Sequence, residues 1–125
     1  MPEKEQPKQY DLEERTFEFA RDVRAFIRKL PHTLANIEDV KQLVRSSGSV
    51  GANYIEANES LGKKDFAMRA KICRKEAKES RYFLRLLFTD GDTAVDKTRA
   101  SLIEEAVELT NIFGAIVRKS EPPAR

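Results

Sequence analysis

The sequence has no tryptophan, one cysteine, one histidine, and only five glycines and five prolines among its 125 residues. A lone Cys73 and a lone His32 exclude a disulfide framework, a CxxC redox pair and a Cys/His zinc site. The one Cys/His catalytic pair the chain could form is Cys73 with His32, and nothing in the sequence places them together. The first thirty residues hold no apolar run of signal-peptide or membrane-span length. No stretch alternates apolar and polar residues as a half-buried strand would. These absences point to a soluble, cytoplasmic, all-α protein with no membrane partner.

What is present is charge and helical periodicity. Hydrophobic residues make up 40% of the chain and charged residues 35%, with a formal net charge of only +2. A single domain of this size buries roughly two-thirds of the surface its unfolded chain exposes, enough to fold without a structural metal. Residues 1–10 and 120–125 read as flexible tails, the second because Pro122-Pro123 cannot continue a helix. Residues 11–119 form the domain.

Four segments in that domain repeat their apolar residues every 3.5 to 3.6 positions. Helix 1 is expected from about Leu12 to Leu30, opened by a capping box of Asp11 and Glu14, with core residues Leu12, Phe19, Val23, Phe26 and Leu30. Helix 2 is expected from about Asn36 to Leu61 along Val40, Val44, Ser47, Gly51, Tyr54, Ile55 and Asn58. Helix 3 runs from about Lys63 to Phe88 along Phe66, Ala70, Cys73, Ala77, Leu84 and Leu87. Helix 4 starts between Thr93 and Asp96 and buries Leu102, Ile103, Ala106, Leu109, Thr110, Phe113, Ile116 and Val117. Short connections make sequential helices antiparallel, so the expected fold is an up-down-up-down four-helix bundle. Gly48 and Gly51 lie inside helix 2 at about 0.8–1 kcal/mol each relative to alanine. Either a close helix contact offsets them or the helix breaks at residues 46–51.

Candidates for chemistry fall away on inspection. Cys73 lies on the core stripe of helix 3, where a thiol behaves as a small hydrophobe. His32 follows Pro31 in the first loop, a place for a surface residue or cap. Glu76/Glu79 and Glu104/Glu108 have the spacing that di-metal bundles use, but those bundles also need Glu-x-x-His motifs, and no helix here carries a histidine. Gly48-Ser49-Val50-Gly51 lacks the strands of a KH domain, and Gly62-Lys63-Lys64 lacks the rest of a phosphate loop. No metal, cofactor or catalytic residue is expected.

Charge resolved by segment is more informative than the total. Residues 15–30 hold five basic and two acidic residues, and residues 63–85 nine and three. Residues 36–61 hold two and four, and residues 92–118 three and five. At 100° per residue, Lys71, Arg74, Lys75, Lys78, Arg81 and Arg85 gather in one sector of helix 3, and Arg21, Arg24 and Arg28 gather opposite the core of helix 1. Such stripes suit phosphate backbones. The competing readings are a solvated face that keeps the domain soluble, or pairing between basic and acidic helices of neighbouring subunits. A second sector of helix 3 mixes Ile72, Glu76, Glu79, Phe83 and Leu86, which suits an interface. Arg45, Ser49, Ala52, Asn53 and Glu56 project away from the apolar stripe of helix 2. Asn53, Glu56, Glu76 and Glu79 are therefore candidates for contacts with a neighbouring helix or subunit, or for a network within the chain with Arg45 or Arg74.

Two stretches carry a family resemblance. Ser49, Val50, Gly51, Ala52, Asn53 and Glu56, followed by Lys75-Glu76-Ala77 and Glu79, resemble the bacterial four-helix bundle family first noticed as proteins encoded in intervening sequences of 23S rRNA genes. The likeness extends over about residues 12–117, with Ala57 standing where many members have glycine. It implies a homo-oligomer, typically a pentamer, without established enzymatic activity. A relative serves as the accessory protein of diversity-generating retroelements, a basic pentamer that binds nucleic acid and reverse transcriptase. The resemblance thus implies RNA, DNA or a reverse transcriptase as partner, against a protein adaptor whose charge serves self-assembly. Under either expectation Ser49, Asn53, Glu56, Glu76, Glu79 and Phe83 are assembly or structural residues.

Overall fold

The computed structural model describes residues 11–121, in four helices: α1 (Leu12–Ile27), α2 (Leu34–Asn58), α3 (Lys63–Leu86) and α4 (Thr93–Ser120). Each helix packs mainly on its neighbours in the cyclic order α1, α2, α3, α4, and the short connections make consecutive helices antiparallel. This is the expected all-α up-down-up-down bundle. Residues 1–10, expected as a flexible tail, and residues 122–125 of the second expected tail lie outside the described residues. Ser120 and Glu121, read as the start of the second tail, instead complete α4: the Ser120 hydroxyl donates to Ile116 O, and Glu121 N–H caps Val117 O.

The core follows the apolar periods of α1, α3 and α4. Phe19, Val23, Phe26, Leu84, Leu109 and Phe113 are buried at its centre, and Tyr54 meets Phe113 edge-on at 5.6 Å. Helix 2 differs from expectation. Its buried face is Leu43, Ser46, Ser47, Val50 and Ala57, while Val40 and Val44 are half-buried and Ile55 and Asn58 are exposed. Burial of hydroxyls explains the shift: Ser46 Oγ lies 2.9 Å from Ser80 Oγ, and Ser80 donates to Glu76 O, so small polar residues let α2 and α3 approach without orphaned groups. Phe66 is likewise half-buried, its expected place taken by Ala67.

Helix α2 does not break at its glycines. A Cβ on Gly51 would sit 2.8 Å from Thr16 Oγ1, so α1 and α2 approach there more closely than alanine allows. Thr16 is itself fully buried, its hydroxyl donating to Leu12 O at 2.7 Å.

Several helix ends depart from expectation, α2 stopping at Asn58 rather than Leu61 and α3 at Leu86 rather than Phe88. The Asp11 side chain makes no capping bond, and α1 ends at Ile27, with Leu30 reaching the core from the following turn. Helix α2 begins earlier, at Leu34, because Thr33 Oγ1 accepts from Asn36 N–H at 3.1 Å. Asn36 then spans both loops at that end of the bundle, binding Pro31 O and the backbone of Phe88. In the α3–α4 turn, Asp90 and Gly91 adopt positive φ of 59° and 71°, and Asp92 caps α4 through Val95 N–H.

Candidate nucleic-acid interface

Charge on the observed helices is distributed differently from the reading by sequence segment. Helix α3 is basic, with nine basic and three acidic residues. Helix α1, from Leu12 to Ile27, carries Arg15, Arg21 and Arg24 against Glu13, Glu14, Glu18 and Asp22, so it is not basic as a whole. Its positive character belongs to its second half and the turn beyond, where Arg28 and Lys29 lie. Helix α4, from Thr93 to Ser120, is neutral rather than acidic, because Lys119 belongs to it and Asp92 is its cap.

Carboxylates inside the bundle are committed to particular cations. Arg15 binds Glu105 through Nε at 2.7 Å and Nη2 at 2.9 Å, and Nη2 also reaches Glu108 at 2.6 Å. The Glu105 hydrogen bond is the main cause that raises the Arg15 guanidinium above its ordinary value, against burial, with Glu108 adding to it. Arg99 holds Asp96 at 3.1 Å and donates to Leu87 O, tying α4 to the end of α3. Arg45 on α2 reaches Glu76 at 3.3 Å and Glu79 at 2.9 Å on α3, and Lys75 adds a contact to Glu79 at 3.5 Å.

The network joining α2 and α3 settles where the expected assembly residues sit. Glu76, with 7% of its side chain exposed, is a buried partner of Arg45 within the chain, and Glu79 flanks it. Phe83 packs against the core and meets Tyr82 edge-on. Asn53 donates back to Ser49 O at 2.9 Å, a bond within α2. Glu56 is exposed and has no ion-pair partner among the described residues. Of the residues expected to make contacts between helices, Glu76 and Glu79 do so within the chain; Ser49 and Asn53 are half-buried and bonded to each other within α2, and only Glu56 is exposed.

The expected basic stripes do not merge. Helices α1 and α3 are diagonal in the bundle. Arg21 and Arg24 line a groove of about 450 Å³ between α1 and α2, with Phe17, Ala52 and Ile55, and the Arg21 guanidinium lies 5.8 Å from the Phe17 ring centre. Arg24 also donates to Ala20 O, and Arg28 follows the helix end. On α3, Lys75 belongs to the carboxylate network and Lys71 pairs with Glu121. Arg74, Lys78, Arg81 and Arg85 have no carboxylate partner among the described residues. They share one face of α3 at i, i+4, i+7 and i+11.

Sequence reasoning missed the α4 side of this face. Arg74 and Lys78 border a cleft of about 330 Å³ with Thr110, Asn111, Gly114 and Arg118. The available signal was a mid-helix glycine in register with Thr110 and Arg118 at four-residue spacing. Cys73 is buried and His32 is exposed in the first loop, so they form no pair. No group of three or more metal-ligating side chains occurs among the described residues, and none of the described helices is long and apolar enough to cross a membrane.

A short antiparallel four-helix bundle with one strongly basic helix defines the class of protein. The family model of the 23S rRNA-intervening sequence proteins matches residues 8–115, and the chain belongs to that family. It is similar to a crystal structure of a protein of unknown function from the S23 ribosomal protein family of Bacteroides thetaiotaomicron VPI-5482. The two are 27% identical, with 85% of this chain and 97% of the other covered, at a TM-score of 0.73. No curated protein matches the chain.

Proposed function

We propose that the protein is a non-enzymatic, cytoplasmic, homo-oligomeric bundle, pentameric by family resemblance, that binds nucleic acid through the unpaired cationic face of α3. One observation carries this reading. Cations that cross between helices, Arg15, Arg45 and Arg99, are all matched by carboxylates or carbonyls, whereas Arg74, Lys78, Arg81 and Arg85 are left without any among the described residues. Unmatched cations in a row attract a polyanion and release its counterions. Titration of labelled RNA and DNA at two salt concentrations tests the reading. Binding that weakens steeply with salt, and by roughly tenfold or more on charge reversal of Arg74, Lys78 and Arg85, is expected. No binding at low salt to single strands, structured RNA or duplex overturns it, and a monomeric mass by light scattering overturns the oligomer.

A second reading has its own support. The groove between α1 and α2 exposes Phe17 by 57% and Ile55 by 45%, apolar surface that suits a protein partner, such as a reverse transcriptase, or a second copy of the chain. On that reading the protein is an adaptor and its cations serve solubility or assembly.

A further inference from the structure

Gly114 lies deep inside α4, where a glycine weakens a helix. At Gly51 the compensation is plain, since another helix occupies the space of the missing side chain. At Gly114 no other helix's backbone comes within 4 Å of that space. Two arginine side chains border it instead: the Arg118 guanidinium through Nη1 at 3.5 Å, and the Arg74 side chain through its Cδ methylene at 3.8 Å, from the point where a Cβ would be. Lys78 completes the same cleft from α3, and Thr110 and Asn111 supply its polar floor. The Thr110 hydroxyl donates to Ala106 O, which leaves its oxygen as an acceptor only, whereas the Asn111 amide is exposed and free to donate. None of the three cations has a carboxylate partner among the described residues, whereas Arg15 and Arg45 hold carboxylates at 2.6–3.3 Å. Three like charges bordering one cleft repel one another until an anion joins them.

We propose that the cleft formed by Arg74, Lys78 and Arg118 over Gly114 is a phosphate-group binding site, and that its ligand is a backbone phosphate of a nucleic acid. The inference rests on the nucleic-acid reading above and narrows it to an anchoring point on two helices. Arg74 and Arg118 offer planar donor forks that suit phosphate oxygens, and Lys78 adds a compact charge. The row continues from the cleft along α3 to Arg81 and Arg85, about one helical pitch of 5.4 Å per step, so further phosphates of the same strand meet further cations. An isolated phosphate compound would use the cleft alone.

The test uses the full chain, as wild type and as Arg118→Gln, Lys78→Gln and, as a control for net charge, Lys97→Gln on the exposed far part of α4. The probes are a short single-stranded RNA, a DNA duplex and inorganic pyrophosphate, with affinity measured across a salt series and amide resonances of Thr110, Asn111 and Gly114 followed by NMR. The expected result is that Arg118→Gln and Lys78→Gln each weaken polymer binding several-fold and reduce the salt slope by about one, while Lys97→Gln does neither. If the polymer binds and Arg118→Gln behaves like Lys97→Gln, the cleft is overturned and the nucleic-acid reading stands. If only pyrophosphate binds and shifts the Gly114 amide in the wild type but not in Arg118→Gln, the polymer ligand is overturned and the site belongs to a small phosphate compound. If none of the three probes binds, both readings fail. A last-turn arginine also complements the negative end of α4. A lower melting temperature for Arg118→Gln with unchanged binding assigns it that role and overturns the proposal.

Discussion

The side-chain amide of Asn36 and the backbone of Phe88 exchange two hydrogen bonds, Nδ2 to Phe88 O and Phe88 N–H to Oδ1, each 2.9 Å. The same Nδ2 donates to Pro31 O at 2.8 Å, so one buried residue joins the α1–α2 connection to the end of α3. Asn36→Ala leaves three backbone groups short of a partner. A loss of about 2–3 kcal/mol is expected, since each buried polar group deprived of its partner costs on the order of 1–3 kcal/mol and the loop can admit some water. Urea denaturation should show a lower midpoint at unchanged slope.

Gly51 offers a sharper contrast, because propensity and packing oppose each other. Alanine there gains about 1 kcal/mol of intrinsic helix stability, yet its Cβ would sit 2.8 Å from Thr16 Oγ1 and 3.2 Å from Thr16 Cβ. Overpacking at a helix contact typically costs about 1–3 kcal/mol, so Gly51→Ala should be net destabilising by up to about 2 kcal/mol. Thr16→Ala removes the closest atom. In a double-mutant cycle the two substitutions should couple favourably, and strict additivity would show that α1 and α2 separate at no cost.

The same contact shows how much of the fold the sequence makes legible. In α1 and α4 most of the buried residues are large and apolar, so the 3.6-residue period alone marks Phe19, Val23, Phe26, Leu102, Leu109 and Phe113 as core, although it passes over the buried Thr16 and Gly114. Helix α2 packs on two neighbours through different residues, Gly51 toward α1 and Ser46 toward α3, and small or hydroxyl side chains carry no hydrophobic signal. Val44, Ile55 and Asn58 therefore drew the expected stripe away from the buried face. The cationic row of α3 was visible because it follows one helix. The cleft was not, because Arg118 reaches it from α4, and sequence spacing within one helix says nothing about register between two. Which cations are already paired was equally hidden, and that separates Lys75 from Arg74.

The α2–α3 network predicts unequal effects among residues that look alike in sequence. Arg45 is half exposed, at 49%, but its partner Glu76 is not. Arg45→Ala leaves that carboxylate with only Lys75 Nζ, 3.9 Å away, and should cost about 1–3 kcal/mol. Glu56→Ala touches no partner within the chain and should change stability by less than about 0.5 kcal/mol. If Glu56 instead bonds a neighbouring subunit, its substitution lowers the solution mass while the thermal transition of the dissociated chain stays in place. Light scattering and calorimetry on the same two variants distinguish these outcomes.

Cys73 provides a pH-dependent prediction. It is fully buried between Ala70 and Ala77, and burial pushes its thiol up from 9.0 to about 12, with the nearby charge of Glu76 adding to the shift. In the unfolded chain the thiol ionises near its ordinary value, so between about 9 and about 12 the folded protein holds a proton that the unfolded chain has released. The unfolded state then binds fewer protons, and stability must fall as pH rises through that window. Below it the contribution is constant. Cys73→Ala should flatten this part of the stability profile at the cost of a small cavity, and Cys73→Ser should be worse near neutral pH because it buries a hydroxyl. The thiol should also resist alkylation at pH 8 in the folded protein and react at once in denaturant, since only the thiolate is nucleophilic and only unfolding exposes it. Rapid labelling of the native protein at that pH would show that α3 opens locally around Cys73 well below the global unfolding threshold.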